Sequence, residues 1–213
     1  MKIPSHIGII PDGNRRWALN HNKEKFEGYE FGINPGLRAF NLLRKLGVKE
    51  MTFYGFTADN CKREKNQRIA FSKACVEAVN LIAKENVEIL VVGNQNSKMF
   101  PEELIKYTKR NSANSERTKV NFLINYSWDW DIQKIRENKN MYFNIYKSLH
   151  SSDISRIDLI IRWGGMQRLS GFLPVQSVYS DIFSCKSLWP DFEEQDILSA
   201  LDWYQYQDAT LGG

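Results

Sequence analysis

Ile7-Gly8-Ile9-Ile10-Pro11-Asp12-Gly13-Asn14-Arg15-Arg16-Trp17-Ala18 is the stretch on which the fold turns. Its four leading, mostly apolar residues read as a short buried strand. Pro11-Asp12-Gly13 is turn chemistry, and residues 14–18 open a helix. A helix that starts just after a strand presents unpaired N–H groups and a positive dipole end, which suits an anion. Gly13 lets backbone approach a ligand, and two arginines offer forked donors matched to phosphate oxygens. A carboxylate such as Asp12 repels a phosphate unless a metal bridges them. The stretch thus reads either as a Mg²⁺-diphosphate cradle with Asp12 as metal ligand, or as a plain strand-turn-helix corner. It has neither Walker nor dinucleotide glycine spacing.

Outward from this stretch, strand and helix patterns alternate. Pro35 follows Asn34 as an N1 proline after its N-cap, and Leu37, Phe40, Leu43 and Leu46 recur at helical spacing up to Gly47. Strands are expected at 51–56, 88–93, 119–126 and 157–162, which is the last clear strand of the chain. Helices are expected over 67–85, 101–110 and 132–149, and a final one after an Asp191/Glu194 capping box. Asp129 and Asp131 could form a metal-binding D-x-D, but an acidic pair on a turn is more often a helix cap. Near-continuously apolar strands alternating with helices imply an α/β single domain over 1–213. Its mostly parallel central sheet would have five or six strands and helices on both faces. In such sheets ligands sit at the carboxyl ends of the strands. Polar clusters follow the strands as that rule requires, at 12–16, 57–63, 125–126 and 162–170.

The 213 residues, 42% of them hydrophobic, suffice for one sizeable core. No apolar run is long enough to span a membrane, and the N-terminus lacks a signal-peptide core, so a cytoplasmic protein is expected. Three scattered cysteines without C-x-x-C argue for reduced thiols, and three histidines make no paired metal spacing. A net charge of +4 with interleaved acids and no stacking platform argues against nucleic acid.

The first motif resembles the signature H-x-x-I-I-x-D-G-N-x-R-W-A of the cis-prenyltransferases, the undecaprenyl diphosphate synthase-like isoprenyl transferases, with His6 and residues 9–18 in place. Arg162, Gly164, Gly165, Arg168, Ser170 and Phe172 match that family's R-x-G-G-x-x-R-x-S-x-F. Residues 56–63 resemble its F-S-x-E-N-W-x-R, and Asn125, Tyr126, Asp131 and Ile132 its N-Y-x-x-x-x-D-I. The resemblance implies condensation of isopentenyl diphosphate with an allylic diphosphate to give a medium or long polyprenyl diphosphate, with Mg²⁺ on Asp12 and Asp181. Asp12 and Asn60 would be catalytic, Asn60 at a position assigned to proton removal. It places the allylic diphosphate on Gly13, Asn14, Arg15, Arg16 and Trp17, on Lys25 and Tyr29, and on Thr57, Ala58, Asp59, Cys61 and Arg63. Isopentenyl diphosphate falls to Arg162, Arg168, Leu169 and Ser170. The hydrocarbon tail would enter a tunnel walled by the 67–85 helix, Leu90 and Phe122, and His6 would orient the Asp12 turn.

Departures from the pattern are Lys25 for Arg, Tyr29 for His, Asp59 for Glu, Cys61 for Trp, Asp181 for Glu, and Met166, Gln167 and Gly171 around the Gly-Gly turn. Thr210 stands where homodimeric members carry an arginine that reaches into the partner's site. The resemblance implies a homodimer, while the altered Gly-Gly turn leaves open a short-chain or irregular synthase and Thr210 leaves open a heteromeric subunit that needs a related chain. It also implies peripheral membrane contact during product release.

Overall fold

The structure, a computed structural model, describes residues 2–110, 116–137 and 144–207. Its centre is a six-stranded, all-parallel sheet. In chain order the strands are β1 (His6–Ile10), β2 (Glu50–Tyr54), β3 (Val87–Val92), β4 (Thr118–Leu123), β5 (Leu159–Arg162) and β6 (Asp181–Ser184). Across the sheet they run β3-β4-β2-β1-β5-β6. The chain builds outward from β1 through β2, then returns to start the other half at β5. The reversal leaves a crevice at the carboxyl ends of β1, β2 and β5, where ligands collect in this architecture.

Period-two alternation divides the strand side chains between two cores. Ile7, Ile9, Met51, Phe53, Ile89, Val91, Val120, Phe122, Leu159 and Ile161 pack on one face. That face is covered by α3 (Ile33–Lys45), α4 (Lys65–Ile82) and α6 (Glu194–Tyr204), through residues such as Phe40, Val79 and Leu201. The other face buries Ile10, Leu90, Val92, Leu123 and Ile160 under Phe172 and Leu173, with Trp130 of the short α5 (Trp128–Gln133) against it. Gly8 of β1 permits this packing, because a Cβ there would lie 2.6 Å from the Phe172 ring. The short helices α1 (Asn14–Asn20) and α2 (Gly28–Phe31) follow the first turn. Among the described residues no helix is long and apolar enough to cross a membrane.

Several elements differ from the sequence expectation. α3 starts at Ile33, directly after Gly32, so Asn34 is no N-cap. Residues 102–107 form a 3-10 helix, as do 134–137 and 146–148, and residues 138–143 of the expected 132–149 helix lie outside the described residues. The capping box of α6 is Glu193 with Asp196. Asp191 instead closes a 3-10 turn, Trp189–Asp191. Asp131 is no exposed cap or metal ligand. It is buried, accepting from Tyr126 Oη at 2.9 Å and from Ser151 N and Oγ at 2.8 and 2.6 Å. The short strand β6 was not anticipated.

His6 begins β1, at the opposite end of the strand from Asp12, and so cannot orient the Asp12 turn. Its Nε2 pairs with Thr52 Oγ1 at 2.8 Å, and its Nδ1 lies 3.1 Å from Ser155 O. Burial holds its pKa below the ordinary histidine value, which favours neutral imidazole.

Candidate active site

The turn after β1 runs backward into α1 through Gly13 at φ +116°, where a Cβ would press on Leu188 at 2.9 Å. No non-glycine residue fits there without strain and displacement. Asp12 is left at the mouth of the crevice. Its Oδ2 accepts from Arg162 Nη2 at 2.8 Å and its Oδ1 lies 3.5 Å from Arg16 Nη2. Arg162, the last residue of β5, is buried, with a side chain 5% exposed against 32% for Asp12. Its Nη1 also donates to Ser170 Oγ at 2.9 Å and to the Arg168 carbonyl. Arg16 Nη1 donates to the Gly164 carbonyl at 3.0 Å. Asp12 therefore links the turn after β1 to the turn after β5.

The segment that follows β6 fastens both turns again. Trp189 N donates to Asp12 O at 3.0 Å, and Gly164 N and Gly165 N donate to Ser187 O and Cys185 O, each at 2.8 Å. Trp17 Nε1 donates to Asp191 Oδ1 at 2.6 Å, and Trp189 Nε1 to Gly32 O at 2.8 Å. A hydrogen bond to a charged acceptor contributes about 1.5–3 kcal/mol. Trp17→Phe keeps the ring and removes the donor, so kcat/KM is expected to fall about tenfold and Tm by several degrees. Asp191→Asn should give a smaller loss, and the double variant no more than Trp17→Phe alone. Additive losses in that cycle would mean the two side chains act separately.

The crevice is a cleft of about 500 Å³. It gathers Asp12, Gly13, Asn14, Arg15, Arg16, Lys25, Tyr29, Thr57, Asp59, Asn60, Arg63, Arg162, Arg168 and Ser170 from the sequence expectation. Six basic side chains face two acidic ones, a balance suited to a strongly anionic ligand. Arg63 donates to Tyr29 Oη at 2.8 Å, and Tyr29 stacks on Phe71 of α4 with ring centroids 4.4 Å apart. Burial draws the Arg63 pKa below the ordinary arginine value and pushes the Tyr29 hydroxyl up. Thr57 and Asn60 form a reciprocal cap: Asn60 Oδ1 accepts from Thr57 N at 3.0 Å, and Thr57 Oγ1 accepts from Asn60 N at 3.3 Å. With Oδ1 already accepting from Thr57 N, the amide offers its Nδ2 donor and the second Oδ1 lone pair to a ligand.

Five expected residues are not among those lining the cleft. Trp17 is buried behind α1 on Asp191, and Leu169 packs into the second core. Ala58 and Cys61 sit in the 3-10 turn beyond Thr57. The Cys61 thiol lies 3.5 Å from Asn125 Oδ1 and burial raises its pKa. Burial pushes Cys75 and Cys185 up to about 12. Asp181 is the first residue of β6, in register with Leu159, whereas Arg162 and the cleft lie at the far ends of these strands. Three residues apart at about 3.3 Å each, the structure does not bring Asp181 to Asp12. Thr210 lies outside the described residues. Tyr54, Phe71 and Met166 also line the cleft and were not anticipated as contacts. Tyr54 Oη donates to Ser170 O at 2.8 Å, and as the last residue of β2 it could have been found by the carboxyl-end rule.

Behind the cleft lies an apolar compartment of about 70 Å³ between the sheet and α4. Phe53, Phe122, Ala74, Cys75, Ala78 and Ile82 wall it, and Tyr29, Tyr54 and Phe71 border both spaces. From Phe71 to Ile82 the wall extends about 16 Å at 1.5 Å per residue. Leu90 is absent from it, because residue 90 points to the opposite face from residues 89 and 91.

The family model described as "Putative undecaprenyl diphosphate synthase" matches residues 10–212. The ditrans,polycis-undecaprenyl-diphosphate synthase ((2E,6E)-farnesyl-diphosphate specific) of Pasteurella multocida is 30% identical over 231 residues, spanning 99% of this chain and 95% of that protein. The isoprenyl transferase of Bacillus subtilis is 30% identical over 232 residues, spanning 100% of this chain and 88% of that protein. The crystal structure of lavandulyl diphosphate synthase from Lavandula x intermedia in complex with dimethylallyl diphosphate shares the fold, with a TM-score of 0.83 at 21% identity. It covers 97% of each chain. With these similarities and a cationic cleft at the expected strand ends, the chain belongs to the undecaprenyl diphosphate synthase family of prenyltransferases.

Proposed function

We propose that the protein is a Mg²⁺-dependent cis-prenyltransferase that couples isopentenyl diphosphate to an allylic diphosphate. The observation that carries this reading is the continuity of two unlike spaces. A cleft with six basic side chains shares its Tyr29, Tyr54 and Phe71 walls with an apolar compartment. A diphosphate with a hydrocarbon tail has that division of chemistry.

The donor set fits Mg²⁺. Asp12, a partly buried carboxylate, stands among phosphate-binding cations, and Mg²⁺ is commonly held by one or two carboxylates plus substrate phosphates. Asp12 would hold the ion, which when bound neutralises charge on the departing diphosphate. Arg15, Arg16, Lys25 and Arg63 take the allylic diphosphate. Each cation near 4 Å contributes up to about 4 kcal/mol before desolvation, at an effective dielectric of 20. Arg168 and Ser170 take the diphosphate of isopentenyl diphosphate, while buried Arg162 holds Ser170 and Asp12 in place. Asn60 Nδ2 donates to a phosphate oxygen. Among the described cleft residues the carboxylates are engaged, Asp12 by Arg162 and Asp59 by Lys62 at 2.7 Å. This leaves an oxygen of the departing diphosphate to receive the proton lost as the new double bond forms.

The test is incubation with Mg²⁺, labelled isopentenyl diphosphate and, separately, dimethylallyl, geranyl and farnesyl diphosphates, with products sized by chromatography. Extension of at least one starter, abolished by chelation, is expected. A folded protein that extends none refutes regular elongation by the single chain. The modest compartment favours a second reading, a short-chain or irregular product. Ala78→Leu, which narrows the wall between Phe71 and Ile82, should shorten the longest product while initial turnover stays within a few-fold. The assembly expected is a homodimer or a pair with a related chain. Activity gained by Thr210→Arg, or by adding a related subunit, would mark the chain as partner-dependent.

A further inference from the structure

α4 carries a second chemistry on the side away from the apolar compartment. Lys65, Arg68, Ile69, Ser72, Lys73 and Val76 follow one another at helical spacing along it. Opposite them lies the segment 98–103, and between the two runs an open groove of about 440 Å³. Ile69 is 58% exposed. Arg68 crosses the groove to Met99 Sδ at 3.8 Å, while its buried Nε has no partner among the described residues. Lys98 adds a fourth cation, and Glu103 is the single acid of the lining.

We propose that this groove docks the protein on a bilayer surface that carries anionic phospholipid headgroups. The occupant follows from charge and from shape together. Lysines at the rim reach phosphate while their alkyl stems lie along apolar surface, and Ile69, Val76 and Met99 provide that surface. A soluble anion would use the cations and leave the exposed isoleucine without a function. The placement deepens the proposed function, and rests on it in one respect: α4 has the tail compartment on its inner side and the lipid surface on its outer side. A water-insoluble product would then be made next to the membrane that receives it.

The experiment is cosedimentation of the full chain with vesicles of phosphatidylcholine alone and of phosphatidylcholine mixed with phosphatidylglycerol. Binding to the mixed vesicles only is expected, weakening steeply with salt. The variant Lys65→Glu/Lys73→Glu/Lys98→Glu alters exposed side chains and should bind about 100-fold more weakly. Ile69→Ser should weaken binding by a smaller factor at every salt concentration. Lys25→Glu/Arg168→Glu, a change in the cleft, should bind like the parent. Equal binding by the groove variant, loss by the cleft variant, or no binding to mixed vesicles overturns the proposal. So does displacement by inorganic phosphate beyond that caused by sodium chloride at equal ionic strength, which would mark a simple anion site. Binding is read without turnover, so a failure of elongation and a failure of docking remain distinguishable.

Discussion

Replacing Asp12 with alanine is expected to lower kcat/KM about 10³-fold, the range seen when one preorganised electrostatic group is removed from a reacting centre. Two losses combine. The carboxylate that bridges Arg16 and Arg162 disappears, and with it the side chain that would hold Mg²⁺. Arg162 also loses its 2.8 Å partner, although Ser170 and the Arg168 carbonyl still engage its Nη1. Asp12→Asn separates these effects, since the amide oxygen still accepts from Arg162 while the negative charge is gone. Folding of Asp12→Asn should be near that of the parent, with activity reduced almost as far as in Asp12→Ala. The Mg²⁺ concentration needed for half-maximal activity should rise in both variants. If Asp12→Asn kept activity within tenfold, Asp12 would act by holding Arg162, and the metal assignment would fail.

The Asp12 cluster was legible because its determinants are local. A proline, a glycine with positive φ and two arginines follow an apolar strand, and strand order then fixes that this end faces the ligand. Contacts among distant segments were less so. Arg162 and Ser170 could be read as anion donors, but that Arg162 is buried and holds Asp12 depends on β5 lying beside β1. Asp181 illustrates the converse. Its strand is four residues long, half exposed and at the sheet edge, so no hydrophobic pattern announced it, and without the strand its distance from Asp12 could not be judged. Leu90 was misplaced by one residue of register, which in a strand reverses the face. Asp131 read as half of an acidic pair on a turn, whereas Tyr126 and the more distant Ser151 hold its carboxylate in the interior.

A second group of polar residues, at the amino ends of the strands, was invisible in the sequence and gives the largest stability prediction. Glu50 of β2 lies on the second face with its side chain 6% exposed. Oε1 accepts from Asn121 Nδ2 at 2.7 Å and lies 3.4 Å from Arg110 Nη2. Oε2 accepts from Ser155 Oγ at 2.7 Å. Arg110, 9% exposed, also donates to Asn121 Oδ1 and to Glu88 O at 3.1 Å. The network crosses β3, β4 and β2, and His6 extends it to β1 through Thr52. Burial favours the neutral acid at Glu50, but the donors around it outweigh that effect and keep it ionised. Glu50→Ala would take from the buried Arg110 guanidinium its strongest counter-charge, leaving the weaker fields of Glu88 and Asp153, and breaking such a buried pair costs about 3–5 kcal/mol. In chemical denaturation the midpoint should fall accordingly. Glu50→Gln, whose single amide oxygen can still accept from Asn121 while its NH2 faces Ser155 Oγ, should lose less. Because this cluster sits a strand length from the cleft, kcat/KM per folded molecule should stay within a few-fold of the parent in both variants. A large loss of activity in a fully folded Glu50→Gln would mean that the two ends of the sheet are coupled, and that the polar amino-end layer helps to set the geometry around Asp12.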